Sequence, residues 1–208
     1  NIINIGWITN ITQIIDNDIK NLNLHAYDIG PGNCLIDDWV RKNSNKKFDM
    51  NGNLAQSGKV NELILNQAIE NFIIHSYDES LDIKDFDLSF VKGLSLEDGC
   101  ATITKFSAYL IAKGIESLNK VNKIDPEINL ISGGGRKNFY LIKSISDYFI
   151  NKKLKLKDID NFEFNGDFIE SQAFGYLSIR TFLNLPISFP STTRCKTETV
   201  GGVINKNY

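Results

Sequence analysis

The 208-residue chain is poor in the residues on which stapled or metal-bound domains depend. It has only three cysteines, Cys34, Cys100 and Cys195, and they lie far apart. This pattern favours neither a disulfide framework nor a zinc site, and it indicates a reducing cytosol. His25 and His75 have no partner at metal-ligand spacing, so we expect structural roles for both. Cys34 has no histidine near it in sequence that would activate it, so we expect no thiol nucleophile.

Long apolar runs and an excess of one charge are absent too. No stretch approaches the ~20 apolar residues needed to span a bilayer, and none resembles a signal peptide, so no membrane partner is expected. The net charge of −2 argues against nucleic acid held by bulk electrostatics. The chain starts at Asn1, inside a strand-like pattern, which favours a piece of a longer protein.

Strand-like and helical patterns alternate along the chain. The β-branched run over residues 1–15 predicts two strands hinged at Gly6, and "LNLHAYD" predicts a third strand that ends at Asp28. A short buried strand is predicted over residues 128–132. Helical spacing is predicted in segments that begin near Asn33, Val60, Ser95, Arg136 and Asp167. The alternation predicts one α/β domain with a mixed β-sheet flanked by helices.

The segment "DIGPGN" places a carboxylate before a tight turn and a predicted helix. We expect Gly30 and Gly32 to adopt positive φ and to let the backbone approach a ligand. Asn33 or the glycine amides would present donors to an anionic group. A partly desolvated Asp28 would be a good general base. The local pattern alone favours a capping role for Asp28 over catalysis by roughly two to one.

A second candidate is the run Gly133, Gly134 and Gly135, which directly follows a strand-like segment. Arg136 and Lys137 come next, so backbone amides and cations would lie near a bound nucleotide. The run matches neither the GxGxxG nor the P-loop motif. A tight left-handed turn without a ligand is an equally good interpretation.

The remaining polar candidates have simple structural explanations. Gly6 lies between two predicted strands, and a plain hairpin is favoured over a phosphate-facing one. Asp167 and Glu170 stand at a predicted helix start, where acids complement the helix dipole. Asp37 and Asp38 are expected to do the same for the helix after the "GPGN" turn.

In their order along the chain, these motifs resemble those of the anhydro-N-acetylmuramic acid kinases. This family belongs to the sugar kinase, Hsp70 and actin superfamily. "NIGWITNIT" resembles the family's "NIGGIANIT", "DIGPGN" its "DTGPGN", and "GGGRKN" its "GGGxxN". "ESQAFGYL" and "LPISFPSTT" resemble segments near the family's C-terminus. The resemblance covers nearly the whole chain.

The resemblance implies a ribonuclease H-like lobe of the actin-like ATPase superfamily. Residues 1–208 would form the C-terminal lobe of a two-lobe kinase, and the N-terminal lobe with its "GTSxDG" loop would lie outside this sequence. Without that lobe the chain is expected to be inactive. A homodimer is compatible with the resemblance.

The implied reaction takes place in the cytoplasm during peptidoglycan recycling. With ATP and Mg²⁺, the 6-oxygen of 1,6-anhydro-N-acetylmuramic acid is phosphorylated while water opens the anhydro bridge. By position, Asp28 would be the base that activates this water, and Asn33 and Glu170 would bind the sugar. The nucleotide and its phosphates would be held by the glycines Gly6, Gly30, Gly32, Gly133, Gly134 and Gly135.

Four positions differ from the family pattern. Trp7 replaces the second glycine of "NIGG", and Ile29 replaces a threonine. Glu79 stands where one branch has lysine, and Arg194 replaces the glycine after "TT".

Two alternatives to this function stay open. One is another amino-sugar kinase of the superfamily, which needs a base only for the sugar hydroxyl. The other is a non-catalytic binding or interface module.

Overall fold

The computed structural model describes residues 1–15, 23–72, 86–150, 152 and 154–205. The strands formed within these ranges are β1 (Ile2–Ile5), β2 (Ile8–Ile14), β3 (Leu24–Pro31), β4 (Ile128–Ser132) and β5 (Lys155–Asp158). The helices are α1 (Cys34–Asn43), α2 (Asn53–Ser57), α3 (Glu62–Asn71), α4 (Leu96–Val121), α5 (Phe139–Asp147), α6 (Ile169–Phe182) and α7 (Pro190–Thr193). His75 and Glu79 lie outside the described residues.

The strands form a five-stranded mixed sheet with the order β3-β2-β1-β4-β5. The first three strands pair antiparallel, and β1, β4 and β5 pair parallel. The mixed directions arise because two short connections join β1 to β2 and β2 to β3, whereas helices separate the later strands. This arrangement confirms the expected fold class, a mixed sheet of ribonuclease H-like topology flanked by helices.

The core lies between one face of the sheet and helices α4 and α5. Ile3, Ile5 and Ile11 are buried on this face and pack with Ile111 and Ile145. Their alternation with polar residues places every second side chain of β1 and β2 on the opposite face. Asn4 and Asn10 therefore point to the second face, whereas Thr9 and Gln13 of β2 are buried on the core face.

The long helix α4 begins as the sequence predicts. Ser95 caps it, because its side chain accepts a hydrogen bond from the amide of Asp98 at 3.1 Å.

Two cysteines lie in the core. Burial raises the pKa of Cys100, on α4, to about 12, and that of Cys34 to about 11. Both therefore remain protonated thiols at neutral pH, as expected for core residues.

Two predicted boundaries are wrong. Strand β3 extends past Asp28 to Pro31, because pairing with β2 continues through the first glycine of the turn. The helix expected to start at Arg136 starts instead at Phe139, where the Asn138 side chain accepts from the amide of Leu141 at 3.0 Å. Arg136 and Lys137 belong to a short 3-10 turn.

The C-terminal elements pack loosely. Helix α6 buries none of its residues, so its large apolar side chains, among them Phe174, Ile179 and Phe182, stay exposed. Helix α7 lies against β3, and the next residue, Arg194, has a φ of 57°. Glycine adopts this left-handed conformation readily, which explains why glycine stands there in the family pattern.

No helix among the described residues has the length and apolarity to cross a membrane.

Candidate functional site

The "GPGN" turn is fastened to the β1–β2 hairpin by main-chain hydrogen bonds. The amides of Gly32 and Cys34 both donate to the carbonyl of Trp7, at 3.1 Å each. The amide of Asn33 donates to the carbonyl of Gly6 at 2.9 Å. The two segments expected to bind the ligand therefore form one rigid unit.

We expected Gly30 and Gly32 to adopt positive φ, and this expectation is wrong. The turn needs glycine for close packing. Neither Gly30 nor Gly32 lies in the left-handed region. A Cβ on Gly32 would lie 2.2 Å from the carbonyl oxygen of Gly6, so no side chain fits there. A Cβ on Gly30 would meet Ile111 of α4 at 3.4 Å, a tight but achievable contact. Gly6 lies at the hairpin turn, as predicted.

Asp28 belongs to a row of polar side chains that crosses three strands. Asn10 of β2 is the register partner both of Asn4 on β1 and of Asp28 on β3. Cross-strand partners point to the same face, and the neighbours Ile3 and Ile29 are buried in the core. The row Asn4–Asn10–Asp28 therefore lies on the sheet face opposite α4. Asp28 is within a strand and not at a helix N-cap, where Asn33 stands.

Glu170, from the first turn of α6, reaches the end of this row. The Asn4 side chain donates to Glu170 Oε1 at 3.4 Å. On the other side of Asn4, Ser132 of β4 is its register partner. The row thus ends beside the Ser132 hydroxyl, which is buried and has no hydrogen-bond partner among the described residues.

The triple-glycine turn follows directly, and its three members differ in role. Gly133 has a φ of 80°, and a Cβ there would lie 2.3 Å from Asn4 Oδ1. A Cβ on Gly135 would lie 2.3 Å from Ile5 Cγ2. These two glycines let the turn rest on β1. A Cβ on Gly134 would meet nothing within 4 Å, so its main chain faces open space.

That open space is a cavity of about 410 Å³ between the "GPGN" turn, the triple-glycine turn and the loop before α2. Its lining comprises Asn33, Asp37, Phe48, Asp49, Met50, Asn51, Gly134, Lys137 and Asn138. Phe48 and Met50 are about half exposed, so the cavity has two apolar side chains and several amide groups. This combination suits a planar ring with polar edges.

Asp37 lines this cavity and has a raised pKa. Burial raises the pKa of Asp37 to about 6, the nearby Asp49 adds to the shift, and Arg41 opposes it. Arg41 also lies over the ring of Trp7 at 5.1 Å, and Trp7 is 43% exposed. The sequence assigned Asp37 to the helix dipole alone, but its side chain also lines the cavity.

Asp49 shapes the loop that closes the cavity. It is buried, and its carboxylate accepts from the amides of Leu54 and Ala55 at 2.8 and 3.0 Å. Asn51 and Gly52 follow with φ values of 58° and 78°. The sequence analysis assigned this turn no role. The Asp-x-Asn-Gly pattern beside an apolar pair was the signal available.

Comparisons with known proteins identify the family of this chain. The family model described as anhydro-N-acetylmuramic acid kinase matches residues 1–207. The chain belongs to the anhydro-N-acetylmuramic acid kinase family. The family member from Pelagibacter ubique (strain HTCC1062) is 48% identical over an alignment of 211 residues that covers 100% of this chain and 55% of that protein. The anhydro-N-acetylmuramic acid kinase of Zymomonas mobilis subsp. mobilis is 36% identical over 207 residues, or 98% of this chain and 53% of that protein.

The chain therefore spans about half the length of the curated anhydro-N-acetylmuramic acid kinases that it matches. Among solved structures, it is similar to an activator of the 2-hydroxyisocaproyl-CoA dehydratase from Clostridium difficile with bound ADPNP. That similarity has a TM-score of 0.41 and 17% identity, and it covers 75% of this chain and 53% of the other. A likeness this low supports no statement about function.

Proposed function

We propose that this chain is the C-terminal lobe, residues 1–208, of a kinase that converts 1,6-anhydro-N-acetylmuramic acid to N-acetylmuramic acid 6-phosphate. The observation that carries the proposal is the Asn4–Asn10–Asp28 row, which lies beside the triple-glycine turn in a member of this kinase family. Such a row provides a carboxylate for the sugar next to a main-chain turn for the nucleotide.

Asp28 would act as the general base on the sugar side. It would take a proton from a water molecule, whose oxygen attacks C1 of the sugar while the bond from C1 to the bridging 6-oxygen breaks. Asn10, its cross-strand neighbour, would orient the carboxylate or the water. Asn33 and Glu170 would bind sugar hydroxyl or amide groups from either side.

The released 6-oxygen would then attack the γ-phosphorus of ATP, and ADP would leave. Positioning and charge stabilisation dominate this kind of transfer. Gly6, Gly30 and Gly32 would hold the hairpin and turn close to the phosphates. Gly133, Gly134 and Gly135 would hold the nucleotide.

The residues present fit a nucleotide. The space beside Gly134 would take the phosphates, and the cavity with Phe48 and Met50 would take the base. Magnesium would accompany the ATP phosphates and neutralise charge there. Among the described residues, no cluster of three or more His, Cys, Asp or Glu side chains is placed to hold a metal ion.

The nucleotide half of the proposal is tested by ADP titration of the 208-residue chain and of Gly134→Val. The new side chain contacts no protein atom within 4 Å at its Cβ, so we expect unchanged thermal stability and ADP affinity at least tenfold lower, from lost backbone approach. Gly175→Val is the matched control, since a Cβ on that α6 glycine also meets nothing within 4 Å. Equal ADP affinities in the two variants would overturn the nucleotide assignment.

The sugar chemistry is tested in a chimera that joins this chain to the remaining, N-terminal part of the Pelagibacter ubique relative. Turnover in ¹⁸O-labelled water should place the label at C1 of the 6-phosphate product. A kinase for another amino sugar would phosphorylate its substrate without this label. Phosphorylation without label, or no phosphorylation by a chimera that folds and binds ATP, contradicts the proposal.

A further inference from the structure

Arg136 is a buried cation among three exposed or half-exposed acids. Its side chain is only 3% accessible. Its Nη1 donates to Asp167 Oδ1 at 2.8 Å and to the carbonyl of Gly133 at 3.1 Å. Its Nη2 donates to Asp160 Oδ2 at 3.1 Å. The third acid, Asp158, is an ion-pair neighbour at 3.5 Å from Nε but accepts no hydrogen bond from it.

These contacts join the triple-glycine turn to the start of α6. Asp167 precedes α6, and its pKa is held low by hydrogen bonds from Lys137 and Arg136, so it is charged at neutral pH. Gly166 must be small here, because a Cβ there would lie 2.7 Å from Arg136 Nε. Glu170 is the second residue of α6, three positions after Asp167.

The contacts close a ring. Asn4 lies against Gly133, donates to Glu170, and so connects α6 back to the turn that Arg136 holds. Helix α6 buries no residue of its own, so polar contacts and not a hydrophobic core hold its N-terminus. Arg136 Nη1 donates both to the carbonyl of Gly133 and to the carboxylate of Asp167. Because the guanidinium is rigid and planar, a shift of either partner moves the other.

We propose that Arg136 is a positioning residue that couples nucleotide binding at the triple-glycine turn to the placement of Glu170. The inference rests on the proposed function, because it takes Gly133–Gly135 as the nucleotide side and Glu170 as the sugar side. Arg136 itself touches neither ligand. Binding of ADP would order the turn, and through Gly133, Arg136 and Asp167 it would order the first turn of α6.

The test compares two variants that remove one negative charge each from the same guanidinium. Asp167→Asn weakens the arm that reaches α6 and also the 2.8 Å ion pair of Asp167 with Lys137. Asp158→Asn weakens the 3.5 Å ion pair and keeps an oxygen that accepts from the amide of Asp160. Lys137→Met is the control that removes the Lys137–Asp167 pair alone. Replacing Arg136 itself would leave three acids without their shared cation and endanger folding, so the partners are changed instead. Hydrogen–deuterium exchange of the α6 amides, Ile169–Phe182, is measured with and without saturating ADP, and ADP affinity is measured separately by calorimetry.

In the wild-type chain ADP should slow exchange of the first α6 amides by about fivefold or more, the lower end of measured coupling between sites. Asp158→Asn should keep this protection. Asp167→Asn should lose it, with ADP affinity reduced by the same factor, about fivefold or more, because the coupling is reciprocal. A role of net charge alone predicts equal effects of the Asp158 and Asp167 substitutions. If Lys137→Met loses the protection as Asp167→Asn does, the coupling runs through Lys137 and the role of Arg136 is overturned.

The outcomes separate the inference from the proposed function. If the wild type binds ADP but α6 exchange does not respond, or if Asp167→Asn keeps the response, the coupling is wrong and the nucleotide site stands. If the two variants lose the response equally, Arg136 acts through net charge and the positioning role is overturned. If the wild type binds no ADP, the nucleotide site itself is overturned, and the coupling falls with it.

Discussion

Replacing Gly32 by alanine should separate the turn from the hairpin. The added Cβ would lie 2.2 Å from the carbonyl oxygen of Gly6 and 3.2 Å from that of Trp7. One strand end must move by more than about 1 Å to restore an ordinary contact distance. Such a shift weakens three main-chain hydrogen bonds, which Gly32, Asn33 and Cys34 donate. At about 1 kcal/mol each, the free energy of unfolding should fall by about 3 kcal/mol.

Thermal unfolding of the 208-residue chain measures this loss. A loss of this size corresponds to a decrease of about 6–12 °C in midpoint for a chain of this length. Gly30→Ala is the matched control in the same turn, since its Cβ would meet Ile111 at 3.4 Å, and it should cost about 1 kcal/mol or less. If positive φ were the reason for both glycines, the two variants would lose similar stability. That result, or a loss below about 1 kcal/mol for Gly32→Ala, would refute the close-packing argument.

Two further substitutions test the carboxylates. In the chimera, Asp28→Asn should lower kcat by about 10²–10⁴-fold with little change in KM or thermal midpoint; a kcat within about tenfold of wild type would make Asp28 structural. Asp37→Asn should not change stability below about pH 4, where folded and unfolded Asp37 are both protonated. As pH rises to about 6, only the unfolded wild type ionises and the wild type loses stability, so the variant should be more stable above pH 6 by about 1 kcal/mol, a value reduced for partial exposure. The free energy of unfolding of both proteins is measured from pH 4 to 8. A difference between the two proteins that stays constant over this range would contradict the raised pKa.

The elements with strong local signals were predictable. Alternating β-branched residues predicted β1 and β2, and Ser95 with two acids after it predicted the start of α4. Strand β5 was missed because "KLKD" has few apolar residues, and its pairing with β4 decides its conformation. The end of β3 was misplaced because glycine and proline suggest a turn, whereas pairing with β2 continues through Pro31.

The site was predictable only where a motif marks it. Asp28 and the triple glycine were recognised in sequence, but Asn4, Glu170 and the lining of the cavity come together only in three dimensions. The Asn4–Glu170 contact joins residues 166 positions apart, and no local pattern indicates such a pair. The reason for Gly32 was likewise out of reach, because the atom that excludes a side chain belongs to Gly6 on another strand.

The placement of Asp28 also bears on the choice between capping and catalysis. A capping carboxylate stands at a helix N-terminus and bonds its amides, but that place at α1 is occupied by Asn33. Asp28 lies five residues earlier, inside β3 and opposite Asn10. The period-two alternation that buries Ile29 against α4 turns Asp28 to the opposite face, beside the polar row and away from the core. Strand β3 thus places this carboxylate beside Asn10 on the sheet face opposite α4, which supports the proposal that Asp28 acts as a general base for a bound sugar.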